Sequence, residues 1–406
     1  MKQKIGKSNP YLLALSIFLG IVVITGTLGT MYTPCISAAV INVPTNHASI
    51  QEAIDASWNG DEIIVQPGIY EENINFLGKV ITVRSLNPND LGMTAATVID
   101  GKGTGRVVEF SNGEGNGSVL TGFTLQNGNG GIYCDGSSPT ITNCTITYNE
   151  ANYGGGIYCI ESSPQITNCT IIYNRTRQED GGGIFCGTNS SPTISNCNIS
   201  HNSSYGDGGA IYAASSSPII DNSKISFNRA NYGGGIYSDG PINVSNCTIK
   251  NNSSYDEGGG IYCFGALSAT NCTITHNSSL VDGGGIYCGD SSSITDSIVN
   301  VNSSDRYGGG IYCSGTLSGT NSEISENWSF NEGGGIYCDG SVSLMDCTLS
   351  NNSSYGGGGG VYCGNSSTIS ECNINNNFAY EGGGVYCFGS LIVSYCILTD
   401  NASYGN

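Results

Sequence analysis

One short motif recurs through most of the chain and constrains its fold more than any other feature. The motif is Gly-Gly-Ile-Tyr-Cys or a close variant, and its aliphatic residue falls at positions 132, 157, 184, 211, 236, 261, 286, 311, 336, 361 and 385. Most copies are 25 residues apart. A unit this short holds about three short strands and cannot bury an apolar face alone. The copies must therefore stack on one another.

Each unit is predicted to contain three strands separated by turns rich in Gly, Asn, Ser and Pro. In the first copy the strands cover 131–134, the surroundings of Ile141, and 144–146, and a loop returns to the next unit. Because side chains alternate along a strand, Ile132 and the cysteine two residues later should face the interior. Tyr133 should then point outward.

The composition excludes several classes of protein. Glycine accounts for 61 of 406 residues and only 11% of residues are charged, which excludes a helical bundle or a coiled coil. The 24 tyrosines and the recurring isoleucines supply apolar surface for a core, which excludes a disordered chain. The formal charge is −19, with 32 acids against 13 bases. Such a surface repels phosphate backbones, so we expect no nucleic-acid partner.

The first 39 residues have the pattern of a signal peptide. A basic start precedes an apolar run over 11–24, and Ser37, Ala38 and Ala39 provide the small side chains that a signal peptidase requires. Residues 11–31 are also long enough, at about 20 residues, to serve as an uncleaved anchor. We predict cleavage after Ala39 and a secreted or cell-surface protein that makes no membrane contact afterwards.

An asparagine stands three residues after the third strand of every unit. At this position we expect a ladder of side-chain amides, each bonded to the next coil about 4.8 Å away. These residues are therefore interpreted as scaffold. They are Asn149, Asn174, Asn202, Asn228, Asn252, Asn277, Asn302, Asn327, Asn352, Asn377 and Asn401.

Two segments carry a resemblance to a known fold. The repeated Ile-Thr-Asn-Cys-Thr-Ile-x-x-Asn and Gly-Gly-Gly-Ile-Tyr-Cys resemble coils of the right-handed parallel β-helix, the pectin-lyase-like fold. The segment 49–74 is similar to the cap and first coil of that superfamily, and Ser49 with Glu52 forms the capping box of a short helix. The Gly-Gly-Ala-Ile sequence at 208–211 is similar to polymorphic outer-membrane protein repeats, although Ile-x-x-Asn here replaces their Phe-x-x-Asn.

The expected architecture is an all-β, right-handed parallel β-helix solenoid with about 25 residues per coil and a short N-terminal capping helix. Residues 40–127 are expected to form the cap and first coils, and 128–406 the regular repeats, giving roughly fourteen coils in one domain. The sequence ends within a coil, and another chain could cover that end. Without such a partner we expect a monomer.

Seventeen cysteines fall in two columns, at the positions of Cys134 and Cys144. Disulfides within a coil would require both columns to gain or lose cysteine together, but three coils hold only one of the two. Serine and alanine replacements indicate a small interior site. We favour buried thiols over intracoil disulfides.

The residue after each motif aliphatic is aromatic, and this column is the predicted ligand-binding strip. Tyrosine combines apolar ring area with a hydrated hydroxyl, so the strip could dock a glycan or another cell-surface partner. The alternative is a structural stack shielded by its own return loops. The column comprises Tyr133, Tyr158, Phe185, Tyr212, Tyr237, Tyr262, Tyr287, Tyr312, Tyr337, Tyr362 and Tyr386.

An acid stands four residues before the motif aliphatic in six coils. Asp180 and Asp207, and likewise Glu257 and Asp282, would place like charges one coil apart unless they share a cation. These four residues are therefore candidates for Ca²⁺, and a solvated acidic face is the alternative. No cofactor is required by any motif.

Catalytic candidates are confined to one irregular coil of 27 residues. There Arg175, Arg177 and Asp180 coincide with an insertion, and insertions on solenoids often mark the binding face. No segment matches the catalytic motifs of pectate lyases, polygalacturonases or pectin methylesterases. The preferred hypothesis is a non-catalytic surface module for binding or adhesion, with a polysaccharide as the ligand. The alternatives are a polysaccharide lyase or glycoside hydrolase of this fold, and a rigid spacer.

Overall fold

The computed structural model describes residues 38–405, which form a parallel β-solenoid. The predicted signal peptide, or anchor, lies outside the described residues except for its last two positions. Three parallel sheets run the length of the solenoid, and each complete coil adds one in-register strand to each sheet. The right-handed parallel β-helix predicted from the sequence is confirmed. The three sheets have fifteen, thirteen and fourteen strands, in agreement with the roughly fourteen coils predicted.

The strands are short, as a coil of 25 residues requires. Sheet 1 consists of Val40–Val43, Glu62–Val65, Thr82–Ser85, Val119–Thr121, Thr140–Thr142, Gln165–Thr167, Thr193–Ser195, Ile219–Asp221, Ile242–Ser245, Leu267–Thr270, Ser292–Thr295, Leu317–Thr320, Val342–Met345, Ser367–Ser370 and Leu391–Ser394. Sheet 2 consists of Ile74–Asn75, Val108–Phe110, Ile132–Asp135, Ile157–Ile160, Ile184–Cys186, Ile211–Ala213, Ile236–Ser238, Ile261–Cys263, Ile286–Cys288, Ile311–Cys313, Ile336–Cys338, Val361–Cys363 and Val385–Cys387. Sheet 3 consists of Gly68–Tyr70, Thr97–Asp100, Thr124–Gln126, Thr145–Thr147, Thr170–Ile172, Asn198–Ser200, Lys224–Ser226, Thr248–Lys250, Thr273–Thr275, Ile298–Asn300, Glu323–Ser325, Thr348–Ser350, Asn373–Asn375 and Ile397–Thr399.

A fourth ribbon of two-residue strands follows sheet 3 in each regular coil, within the segment predicted to be a return loop. Its strands are Glu150–Ala151, Arg175–Thr176, Arg229–Ala230, Ser253–Ser254, Ser278–Ser279, Ser303–Ser304, Trp328–Ser329, Ser353–Ser354, Phe378–Ala379 and Ala402–Ser403. Ser203 bridges to both Arg175 and Arg229, so the fourth ribbon is continuous over eleven coils.

The interior is filled by the aliphatic residues that the alternation predicts. Ile132 and Cys134 are fully buried in sheet 2, while Tyr133 between them points outward. Ile141 in sheet 1 and Ile146 in sheet 3 meet them inside the coil, and both are fully buried. Because the pairing is in register, each column of equivalent residues forms a continuous row along the core.

A short helix, Ile50–Ala56, covers the N-terminal end of the core, as predicted. The Ser49 hydroxyl accepts a hydrogen bond from the Glu52 N–H at 3.2 Å, and the Glu52 carboxylate accepts from the Ala48 N–H. The carboxylate of Glu72, from the first coil, accepts from two further N–H groups of the helix. This last contact ties the cap to the solenoid. A second helix, Leu91–Ala96, lies outside the repeats.

Candidate functional site

The asparagine column is an unbroken hydrogen-bonded ladder. Asn149 Nδ2 donates to Asn174 Oδ1 at 3.1 Å and to the Leu125 carbonyl of the preceding coil at 3.1 Å. The Asn149 N–H donates to the same Asn174 oxygen, and this pattern continues to Asn401. The side chains are buried as far as Asn377, so their polar groups are used within the scaffold.

The cysteines near the turn between sheets 1 and 3 form a second ladder. Cys272 Sγ donates to the Val244 carbonyl of the preceding coil, and the Cys272 N–H donates to Ser297 Oγ of the next coil at 3.0 Å. A serine hydroxyl can make the same pair of contacts, which explains why serine replaces cysteine in this column. All seventeen cysteines of residues 38–405 are free thiols, and fifteen of them are buried.

The aromatic column of sheet 2 is a continuous stack, called here the tyrosine stack. From Tyr133 to Tyr386 every neighbouring pair of rings is nearly parallel, with centroids 4.6–5.4 Å apart. Arg106 lies 5.3 Å from the centre of the Tyr133 ring. The ring faces are therefore taken up by neighbouring rings, and Phe185 and Tyr262 are only 8% and 9% exposed. Ring edges and hydroxyls are what the tyrosine stack offers a ligand, and its predicted role in binding stays a prediction.

The predicted calcium candidates lie beside the tyrosine stack, and three of the four accept hydrogen bonds from the main chain. Asp180 accepts from the Asp207 N–H at 2.8 Å, and Asp207 and Asp282 accept in the same way from residues of the next coil. Burial raises the pKa of Asp207 to about 6 and that of Glu257 to about 7, and neighbouring acids add to both shifts. Within residues 38–405, no cluster of three or more His, Cys, Asp or Glu is arranged to hold a metal. Calcium binding stays a prediction.

A concave site lies on the fourth ribbon. This site, called here the cationic groove, has a volume of about 600 Å³, and its charged lining residues are Glu150, Arg175, Arg177 and Arg229. Arg175 Nη2 lies 2.7 Å from the Glu150 carboxylate, and Arg177 pairs with the same carboxylate. Burial raises the pKa of Glu150, but the hydrogen bonds from the two arginines outweigh it and hold the pKa below its usual value. The lining thus contains three guanidinium groups and one carboxylate, and two of the guanidinium groups pair with that carboxylate.

The third arginine of the cationic groove is paired with a ring instead of an acid. The guanidinium carbon of Arg229 lies 4.1 Å from the centre of the Tyr255 ring. This contact orients the guanidinium without neutralising it. Tyr205, which is 69% exposed, lines the same cationic groove. The cationic groove therefore combines uncompensated positive charge with accessible aromatic surface.

A second aromatic row borders the cationic groove, next to the asparagine ladder. Tyr148, Tyr173, His201 and Phe227 stack on one another with centroids 4.9–5.3 Å apart, and all four are exposed. A shallow depression joins this row to Glu150, Arg175 and Ser203. Each of the four has a φ of 54–59°, a left-handed conformation imposed on the residue that precedes every ladder asparagine. Bulky residues rarely adopt it.

The structure brings together only part of the predicted catalytic set. Arg175 and Arg177 line the cationic groove, whereas Asp180 is not among the lining residues and lies beside the tyrosine stack. Burial raises the pKa of Asp180. Glu150 and Arg229, one coil before and two coils after Arg175, were not predicted from the sequence because they are far away along the chain.

Comparisons with known proteins agree with this fold. A family profile described as a right handed beta helix region matches residues 108–270, and the Chlamydia polymorphic membrane protein repeat matches residues 271–289 and 346–364. Each of the two repeat segments spans a cysteine, a ladder asparagine and the Gly-Gly-Ile-Tyr-Cys motif or its valine variant. The resemblance to both groups predicted from the sequence is therefore confirmed.

No curated protein matches the chain. Among solved structures, the A-module of a mannuronan C-5 epimerase from Azotobacter vinelandii is similar over 86% of this chain and 94% of that chain, with 12% identity and a TM-score of 0.36. Within residues 38–405, no helix has both the length and the hydropathy needed to cross a bilayer.

Proposed function

We propose that the solenoid is a non-catalytic, surface-exposed module that binds an acidic polysaccharide in the cationic groove. The observation that carries this proposal is the convergence of Arg175, Arg177 and Arg229 on one concave site with only Glu150 to oppose them. Guanidinium groups bind carboxylate and sulfate through paired hydrogen bonds. The repeats shared with polymorphic membrane proteins support a location at the cell surface.

The overall negative charge does not oppose binding at close range. Salt screens charges beyond about 10 Å at 0.1 M ionic strength, so the distant acids of the solenoid contribute little inside the cationic groove. Contact with the arginines decides the affinity there. The exposed ring of Tyr205 can pack against the apolar face of a sugar ring, and the row from Tyr148 to Phe227 adds exposed ring edges beside the cationic groove.

The test is a binding assay with soluble acidic polysaccharides, polygalacturonate and heparin, and with neutral dextran. We expect the first two to bind and dextran not to bind, with an affinity that falls as salt is raised. Arg229→Ala should lower the affinity about tenfold, equivalent to about 1.4 kcal/mol. Carboxylate and sulfate are distinguished by which of the two acidic polymers binds more tightly.

The chain offers a matched control for this variant. Arg306 also lies over a tyrosine ring, Tyr307, at 5.2 Å, but outside the cationic groove. Arg306→Ala should leave binding unchanged. Equal effects of the two variants, or equal binding of dextran, would disprove the proposal. New reducing or unsaturated ends during incubation would favour the polysaccharide lyase or hydrolase hypothesis instead.

A further inference from the structure

A second site lies on the same ribbon, further along the solenoid. The outward positions of the fourth ribbon are in register, and they run through Glu150, Arg175, Ser203, Arg229, Ser253, Ser278, Ser303, Trp328, Ser353 and Phe378. Three serines therefore separate the arginines from the aromatic residues. Their small side chains leave a shallow, hydroxyl-lined track between the two ends.

The aromatic residues at the far end are spaced differently from those of the tyrosine stack. In the tyrosine stack every coil holds a ring, so neighbouring rings cover each other. Here Ser353 stands between Trp328 and Phe378, which are therefore two coils, or about 9.6 Å, apart. The gap between them is not filled by a stacked ring of the ribbon.

This gap is a concave site, called here the aromatic slot. It has a volume of about 520 Å³ and is lined by Trp328, Ser353, Ser354, Tyr355, Phe378 and Tyr404. Tyr355 lies against Trp328 with ring centroids 6.2 Å apart and planes at 84°, so the two rings do not stack face to face. Tyr355 is 60% exposed and Phe378 is 48% exposed. Apart from the tyrosine hydroxyls, no lining residue is ionisable.

We propose that the aromatic slot binds a pyranose ring of the same polysaccharide whose acidic groups occupy the cationic groove. This inference rests on the proposed function. A pyranose ring offers an apolar C–H face to an aromatic side chain and hydroxyls to Ser353, which lies between Trp328 and Phe378 on the ribbon. The lining contains no carboxylate and no cationic group, so it is suited to the uncharged face of a sugar ring and not to its acidic substituents.

Occupation of the cationic groove and the aromatic slot by one polysaccharide molecule has a measurable consequence. Five coils separate Arg229 from Ser353 at the centre of the aromatic slot, a distance of about 24 Å. A polysaccharide long enough to bridge this distance gains the second contact at high effective concentration, and a shorter fragment does not. Affinity should therefore rise steeply once the ligand exceeds this length.

The experiment uses size-fractionated fragments of polygalacturonate and heparin, shorter and longer than about 24 Å. We expect the long fragments to bind at least about tenfold more tightly than the short ones. Trp328→Ala should abolish this gain and leave the short fragments unaffected. Phe264→Ala, which removes another exposed aromatic side chain outside the ribbon, is the matched control and should change neither.

Tryptophan fluorescence provides an independent readout, because the chain holds only two tryptophans. In a Trp58→Phe variant, Trp328 is the sole reporter, and long fragments should shift its emission whereas short fragments should not. If long and short fragments bind equally and Trp328→Ala has no effect, while Arg229→Ala weakens both, the aromatic slot is not a subsite although the cationic groove is. If Arg229→Ala also has no effect, the proposed function itself fails.

Discussion

At the scale of single residues, the asparagine ladder shows how a solenoid satisfies its buried polar groups. The Oδ1 of Asn352 accepts from both the N–H and the Nδ2 of Asn327, and its own Nδ2 donates to the Ile324 carbonyl and to Asn377. Removing the amide leaves donors and an acceptor of neighbouring coils unpaired. Each such buried group costs about 1–3 kcal/mol when it has no partner.

Asn352→Ala should therefore lower the free energy of unfolding by at least about 2 kcal/mol. Denaturant unfolding followed by circular dichroism measures this change. Asn373→Ala in the following coil is the matched control, because Asn373 is exposed on sheet 3, and its cost should be below about 0.5 kcal/mol. Similar losses for the two variants would show that the ladder does not stabilise the solenoid.

The residues that the sequence predicts well are those repeated in every coil. Tyr133 and Asn149 recur at a fixed position, so strand alternation and turn geometry place them without the structure. The row of four rings from Tyr148 to Phe227 was not predicted, because the equivalent positions in the following coils are Asn251, His276 and Val301 and show no constant residue type. Alignment of the residue preceding each ladder asparagine is the signal that could have found them.

At the scale of structural elements, the acids that precede six of the motifs lie beside the tyrosine stack, and three of them accept hydrogen bonds from the main chain of the next coil. Burial raises the pKa of Glu257 to about 7, and the charges that act on it are Asp282 and Asp256, which add to the shift, and Arg306, which opposes it. The pKa values of Asp180, Asp207, Asp282 and Glu332 are also raised, with burial as the largest cause. The folded protein therefore holds protons that the unfolded chain would release.

The stability of the solenoid should fall as pH rises from about 4 to about 7. In this window the unfolded chain, with ordinary carboxyl pKa values near 4, binds fewer protons than the folded protein, so the free energy of unfolding has a negative slope with pH. Thermal unfolding at pH 5 and pH 8 measures the effect. Glu257→Gln should flatten the slope, whereas substitution of the exposed Glu326 by Gln should not. A melting temperature that rises over this window would contradict the assignment.

The strands of the repeated sheets could be predicted from the sequence, whereas the short strands of the fourth ribbon could not. In the regular coils, the strands of sheets 1, 2 and 3 are predictable because an inward aliphatic residue recurs in each sheet, as at Ile141, Ile132 and Ile146. The fourth ribbon was interpreted as loop, since a strand of two residues such as Glu150–Ala151 has no alternation to detect. Its inward positions are small in every coil, for example Ala230, Ser254 and Ser279, and this column could have indicated a close approach to the core.

At the scale of the whole molecule, each coil contacts mainly its two neighbours, so stability should depend on how well adjacent coils match. Deletion of residues 278–302 removes one complete coil and joins Asn277 to Ser303, which occupies the position of Ser278 in the ribbon. The shortened protein should fold with a denaturation midpoint close to that of the parent. Its length in solution scattering should decrease by about 4.8 Å.

Deletion of residues 278–289 is the control for this prediction. It removes about half a coil and brings inward positions of one coil against outward positions of the next, so the protein should not form a native β-sheet spectrum. If the full-coil deletion is as damaging as the half-coil deletion, the coils are not interchangeable units, and the two ends of the solenoid must depend on contacts that the repeats do not share.

The in-register pairing of the coils also fixes the distances along each face of the solenoid. Equivalent positions on one face are separated by a whole number of coils. Insertion or deletion of coils can therefore change the distance from Arg229 to Trp328 only in steps of about 4.8 Å. An in-frame duplication of one repeat between them moves the two sites apart by one coil and leaves every contact within each site intact. Recombination between repeats would thus change the spacing of the two sites without changing the residues of either site.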